Sequence, residues 1–146
     1  MIHDLDIVMS LNNSNIKNIQ ANGASVLTNK TDIANARITF ENGCVCNLSA
    51  SRISEKIERK MRVFQKDSYF SLDYQDCELY SYKKVISGKI KRIEKNKNNF
   101  INNDPLNEEI KSFIECIKKS KNPVIDAVDG IKALQYAIKI SNLIKK

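Results

Sequence analysis

The stretch from Ala36 to Ala50, ARITFENGCVCNLSA, constrains the fold more than any other part of the chain. An Asn42-Gly43 pair sits between two alternating runs, the strongest short-range signal for a β-hairpin. Side-chain chemistry chooses the loop length. A two-residue loop would set Phe40 opposite Val45 and Ile38 opposite Asn47, mixing polar with apolar on one face. A three-residue loop, Glu41-Asn42-Gly43 with Gly43 left-handed, pairs Phe40 with Cys44, Ile38 with Cys46 and Ala36 with Leu48. One face is then core, and Arg37, Thr39, Asn47, Ser49 and Ser51 line the other. A slip of one residue would exchange the two sets, so the longer loop with a bulge at Gly43 is expected. The polar face ends at Arg52 and suits contact with a ligand or a partner chain.

At 146 residues the chain is long enough to bury its own core, and one domain spanning residues 1–146 is expected. No apolar run approaches the roughly 20 residues of a membrane span, and no basic region followed by an apolar one opens the sequence. A soluble, cytoplasmic protein without membrane contact is therefore expected. Cys44, Cys46, Cys77 and Cys116 lack metal-site spacing and read as buried thiols in a reducing compartment. The net charge of +7 comes mainly from lysine in a chain rich in Ile and Asn. Only Arg37, Arg52, Arg59, Arg62 and Arg92 are arginines, the residue that does most direct base reading, so a solvated lysine surface is favoured over nucleic-acid contact.

Met1 to Leu11 reads as a helix with Ile2, Leu5, Val8 and Met9 on one stripe. No capping residue precedes it, as though the helix were entered midway. Ile16 to Leu27 reads as a strand with Ile19, Ala21, Ala24 and Val26 alternating, and Asn29 to Asp32 as a turn. Met61–Gln65, Tyr69–Tyr74 and Cys77–Tyr82 are further strands joined by tight turns, so the pairing should be largely antiparallel. Arg52 to Lys60 carries no firm assignment. Gly88 to Asn99 sets Lys89, Lys91, Arg92, Lys95 and Lys97 against the single acid Glu94. It lacks interleaved aromatics and reads as a mobile or edge segment.

Asp104-Pro105 starts a helix with its apolar stripe at Leu106, Ile110, Phe113, Ile114 and Ile117. Asp126 caps a last helix with Asp129 completing a capping box, and Ile131, Leu134, Ile138 and Ser141 or Leu143 are assigned inward. Gly130 near its start is expected to pack closely on a neighbour. The expected class is α+β: a largely antiparallel open sheet of about six strands with helices packed on one face.

Four stretches, Ile2-His3-Asp4-Leu5-Asp6, Ala34-Asn35-Ala36-Arg37 running through Glu41-Asn42-Gly43, Ser49-Ala50-Ser51-Arg52, and Pro123 through Asp129-Gly130 to Ala133-Leu134, stand in an order that resembles a known family. It is the C-terminal domain of the glucose–fructose oxidoreductase / inositol dehydrogenase (Gfo/Idh/MocA) oxidoreductases, above all members acting on sugars or nucleotide sugars. The resemblance implies a substrate-binding and oligomerisation domain whose missing half is a Rossmann domain for NAD or NADP. It places His3 where the family moves the substrate hydroxyl proton while hydride passes to nicotinamide. An imidazole can take and return a proton near neutral pH. It also implies substrate-binding roles for Asp6 and Arg52.

The GxGxxG turn and the Glu-Lys-Pro lysine of such enzymes are absent from this sequence. The family's acidic residue four positions before the histidine falls ahead of Met1, and Ala127 stands where glycine is frequent. The expectation is thus a detached half, inactive alone, binding no cofactor or metal itself. Its expected partners are a second copy of itself, a separate Rossmann chain and a small sugar substrate, without nucleic acid. The rival readings are a non-catalytic, self-associating scaffold and a basic RNA-binding module using Lys89, Lys91, Arg92, Lys95 and Lys97.

Overall fold

In the computed structural model, which describes residues 1–87, 90–100 and 104–145, the Asn42-Gly43 turn joins two antiparallel strands. These are β2 (Ile33–Phe40) and β3 (Val45–Ser51), preceded by helix α1 (Ile2–Leu11) and strand β1 (Ile16–Ala24). The register pairs Ile38 with Cys46 and Ala36 with Leu48. The Phe40 N–H donates to the Cys44 carbonyl at 2.9 Å and the Gly43 N–H to the Phe40 carbonyl at 3.1 Å. Gly43 has φ +84°, so the three-residue loop holds as its side chains require. β1 pairs with β2 along its length, with a bulge between Ile16 and Asn18. The strand order is β1-β2-β3.

Further along run β4 (Lys60–Gln65), β5 (Ser68–Asp73), β6 (Glu78–Ser87), β7 (Ile90–Asn99), α2 (Pro105–Lys118) and α3 (Ala127–Ile144). The class is α+β and every pairing is antiparallel. Among the described residues seven strands form, in sheets of three and four, because the polar run from Ile90 also becomes a strand. It lies at the edge of the β4-β5-β6-β7 sheet, where lysines are commonly tolerated. Gly88 and Lys89 lie outside the described residues. Contacts divide the chain into two compact units, Met1–Glu55 with Cys116–Lys146, and Lys56–Glu115.

The core of the first unit lies between β1–β3 and the helices α1 and α3. Leu5 (0% exposed) and Phe40 (1%) are completely enclosed, beside Ile19, Ala36, Ile38 and Ile140. Each large side chain among them contributes about 1.5–3 kcal/mol on burial. The helices cover one face only; Asn35, Arg37, Asn47 and Ser49 on the other remain exposed. Close approach is required at Gly23, where a Cβ would meet Ile144 Cγ2, Thr31 Cγ2 and the Ile33 carbonyl oxygen at 2.8 Å.

The cap of α3 forms as expected: Asp126 accepts from the Val128 and Asp129 N–H groups, and Asp129 reaches back to the Asp126 N–H. Its inward face differs from expectation. Ala133 and Ile140 are buried, with Tyr136, Ala137, Leu143 and Ile144 packed beside the core, while Ile131, Leu134 and Ile138 are exposed. The helix carries two apolar stripes, and the one bearing alanines fits closely against the strands. Gly130 has open space around its Cα instead of the close neighbour expected.

Asp104 caps α2, accepting from the Leu106 and Asn107 N–H groups at 3.1 and 3.3 Å. The α2 stripe, however, is not buried. Exposure runs from 43% at Ile114 to 65% at Leu106, with Ile110, Phe113 and Ile117 between. The sequence specifies an amphipathic helix, and its apolar side is exposed among the described residues.

Because Gly43 must hold a positive φ while space around it is open, a substitution there tests backbone strain alone. Gly43→Val should cost about 1–3 kcal/mol and lower the thermal midpoint. Gly43→Asn, which tolerates left-handed backbone, should cost clearly less. Equal midpoints for the Val variant and the parent would refute the left-handed turn.

Candidate functional site

Cross-strand register arranges the open face of β1–β3 into polar rows. Gln20, Arg37 and Asn47 form one, and Asn22, Asn35 and Ser49 the next. Arg37 Nη1 donates to Asn47 Oδ1 at 3.1 Å, and Ser49 Oγ donates to Asn35 Oδ1 at 2.8 Å. Together these side chains line an open depression of about 530 Å³. Amide, hydroxyl and guanidinium groups there can both donate and accept, which suits a hydroxyl-rich ligand or the matching face of another chain. Sequence reading found Arg37, Asn47 and Ser49 but not Gln20, Asn22 and Asn35, although the alternation of Gln20 and Asn22 with Ile19 and Ala21 carries the same signal.

One end of this face is fixed by a residue that the sequence offers only as part of a turn. Asp32 is 2% exposed. Its Oδ2 accepts from the N–H groups of Val26, Leu27 and Thr28 at 2.8, 2.8 and 2.9 Å, and its Oδ1 from the Thr28 hydroxyl at 2.7 Å. The Thr28 hydroxyl first, then the backbone N–H groups, hold its carboxyl far below the usual carboxylate range, against the opposing effect of burial. The strand expected to reach Leu27 therefore ends at Ala24, and Val26 and Leu27 sit in a loop wrapped around this carboxylate. The Asp32 carbonyl in turn accepts from the Arg52 N–H at 2.9 Å, so Arg52 leaves the hairpin from an anchored point.

His3, Asp6 and Arg52 are not gathered into one constellation. His3 is exposed near the start of α1, and Asp6 is half-buried one turn later. Since Leu5 of that helix packs in the core, α1 lies on the helix-covered side of the sheet, opposite the polar depression. Arg52 is exposed just beyond β3. Among the described residues no hydrogen bond or ion pair joins the three, and no group of three or more His, Cys, Asp or Glu side chains could hold a metal. All four cysteines are free, and none is fully buried; Cys44 is exposed. Burial, then the neighbouring Cys44 and Asp4, pushes the Cys46 thiol up to about 11. No helix of the described residues is long and apolar enough to cross a membrane.

Two outcomes follow from these surroundings. Asp32→Asn should lower the thermal midpoint at neutral pH, because an amide cannot accept all four bonds. A carboxyl depressed in the folded state contributes stability that is fully present above its unfolded pKa of about 4 and lost as pH falls. The gap between parent and variant should hold from about pH 5 to 8 and shrink below about 4; a gap independent of pH would refute the assigned role. Alkylation followed by peptide mapping should label Cys44 well before Cys46 at neutral pH, since the thiolate is the reactive form.

Residues 1–140 match a family model described as "Oxidoreductase family, C-terminal alpha/beta domain". The chain is 32% identical over 143 residues to UDP-N-acetylglucosamine 3-dehydrogenase of Acidithiobacillus ferrooxidans, covering 96% of this chain and 45% of that enzyme. A solved structure of that dehydrogenase superposes with a TM-score of 0.88 at 31% identity, over 99% of this chain and 45% of the other. Levoglucosan dehydrogenase, solved with NADH and L-sorbose, superposes with a TM-score of 0.82 at 12% identity, over 97% of this chain and 46% of that one, which is a likeness of fold. The chain thus spans about half the length of the relatives it matches.

Proposed function

The chain belongs to the C-terminal alpha/beta domain family of the Gfo/Idh/MocA oxidoreductases, and on that footing we propose that it is the substrate-binding and oligomerisation half of an NAD(P)-dependent sugar or nucleotide-sugar dehydrogenase. The dinucleotide-binding part of such an enzyme lies outside the residues of this chain, which match 45% of the Acidithiobacillus relative. The observation that carries this reading is the uncovered apolar side of α2, where Leu106, Ile110, Phe113 and Ile114 are exposed on a well-capped helix. The second stripe of α3, Ile131, Leu134 and Ile138, supports it independently. Contiguous exposed apolar surface of this kind marks an interface, and the relatives extend well beyond the 45% of their length that this chain matches.

The residues present do not fit a dinucleotide. A pyrophosphate is held by free N–H groups at a helix start behind a glycine-rich turn. Here those of α2 and α3 are occupied by the carboxylates of Asp104 and Asp126, which would repel it. What this chain contributes is substrate contact and proton handling. An exposed His3 can take a substrate hydroxyl proton and return it, with Asp6 one turn away and Arg52 anchored through the Asp32 carbonyl. A nucleotide sugar is the substrate class suggested by the Acidithiobacillus enzyme. The polar rows of β1–β3, with Val45 also exposed there, are the surface assigned to a second copy, twofold pairing being the commonest assembly.

Calorimetry should detect no binding of NAD or NADP to this chain alone. Mixed with a separately produced dinucleotide-binding half of the Acidithiobacillus relative, it should support sugar-dependent cofactor reduction. In that mixture His3→Ala should lower turnover roughly a hundredfold to ten-thousandfold, and Arg52→Ala should raise KM more than it lowers kcat. Dinucleotide affinity of the isolated chain, or full turnover by His3→Ala, would overturn the reading. Light scattering should show a dimer or larger species, and a monomer at high concentration would remove the oligomerisation role.

A further inference from the structure

In the second unit the sheet gives the basic run from Lys91 to Lys97 what its sequence lacks. β7 pairs with β6 so that Lys95 lies opposite Tyr82 and Lys97 opposite Tyr80. Tyr82 faces Tyr69 on β5, and Tyr69 faces Phe64 on β4. One row across four strands therefore reads Phe64, Tyr69, Tyr82, Lys95, and the next on the same face reads Arg62, Ser71, Tyr80, Lys97.

The rings form a continuous stack. Phe64 and Tyr69 have centroids 4.9 Å apart at 16°, and Tyr69 and Tyr82 are 5.2 Å apart at 23°. Lys95 closes one end, its Nζ 5.6 Å from the Tyr82 centroid and 5.2 Å from that of Tyr80. The other end is open: Phe64 lies on an edge strand and is 74% exposed. Some cations on this face are already matched, Lys97 by Glu78, Lys60 by Asp73 and Lys84 by Asp67. Arg62, Lys91 and Lys95 have no acidic partner among the described residues.

We infer that this face binds single-stranded nucleic acid. Bases extend the stack from the free side of Phe64 and lie over the tyrosine edges, while phosphates meet Arg62 and Lys95. Charge complementarity selects this occupant. A second copy meeting the face about a twofold axis would bring Arg62, Lys91 and Lys95 towards a surface carrying the same cations. A neutral sugar would use the rings but none of the charges. A duplex hides its base faces, whereas an antiparallel four-stranded sheet bearing aromatic side chains is a platform on which unpaired bases stack. The absence of aromatics from Gly88–Asn99 spoke against nucleic acid in the sequence; in the folded sheet β4, β5 and β6 supply them. The inference is independent of the dehydrogenase reading, which rests on other residues.

The test is fluorescence anisotropy of the 146-residue chain with a short fluorescein-labelled oligouridylate. With about three free cations engaged, log Kobs should fall against log salt with a slope of about −2. Phe64→Ala should weaken binding about five- to hundredfold through lost stacking, and Lys95→Ala should reduce the slope by about 0.7. Both side chains are exposed on edge strands, and circular dichroism melts of the variants should match the parent. The inference is overturned if an abasic strand or inorganic polyphosphate binds as tightly as the oligouridylate. It is likewise overturned if a duplex binds equally well, or if Phe64→Ala in its folded state binds unchanged. Displacement of the strand by UDP at equal molar concentration would make the face a mononucleotide site and overturn it too.

Discussion

Gly43 holds φ +84°, and through it the chain reverses in three residues rather than two. Everything on the β1–β3 sheet depends on that extra residue. With it, Ile38 and Cys46 turn towards α1 and α3, while Arg37 and Asn47 turn away. Without it, one strand of the pair would present polar groups to Leu5 and Ile140. An unpaired polar group in such surroundings costs about 1–3 kcal/mol, so the register is fixed by the core as firmly as by the turn. The amide-rich outer face is therefore a by-product of how the inner face is packed, and its polar character is inherited from a folding requirement.

A second fixed point is a charge. The Asp32 carboxylate gathers three backbone N–H groups and one hydroxyl, replacing the water that an exposed loop would otherwise bind. Its own carbonyl holds the chain at Arg52. One residue thus sets the ends of β1 and β3, and the backbone leaves β3 at Arg52 from a fixed point. The helices present the opposite case. α2 and α3 are capped at their N-termini by Asp104 and Asp126, yet the apolar side of α2 and the second stripe of α3 are exposed: local specification is complete while apolar surface stays open.

What could be read from the residues was what is local. The hairpin register, the caps at Asp104 and Asp126, and the α+β class follow from spacings of a few residues. The errors arose where two local patterns competed or where the partner lies far along the chain. α3 carries two apolar stripes, and periodicity alone cannot say which one meets Ile19 and Phe40; Ala133 and Ala137 win because small side chains let the helix approach. β7 has almost no apolar residues, and only its pairing with β6 makes it a strand. Asp32 reads as a turn residue because its ligands, Val26 to Thr28, give no sign in sequence that they close around it. The family resemblance singled out His3, Asp6 and Arg52 as candidates, and among the described residues no hydrogen bond or ion pair ties them together.

The contact at Gly23 has a consequence for how such a sequence can drift. Of the three atoms a side chain there would strike, two belong to Ile144 and Thr31 and could be trimmed by substitution, but the third is the Ile33 carbonyl oxygen. No change of side chain elsewhere removes a backbone atom. Variation around this point is therefore one-sided: Ile144 and Thr31 are free to shrink, as long as the neighbouring core tolerates the void, while Gly23 cannot grow in exchange. Among chains that share this packing, glycine at that place should persist even where both of its neighbours have changed.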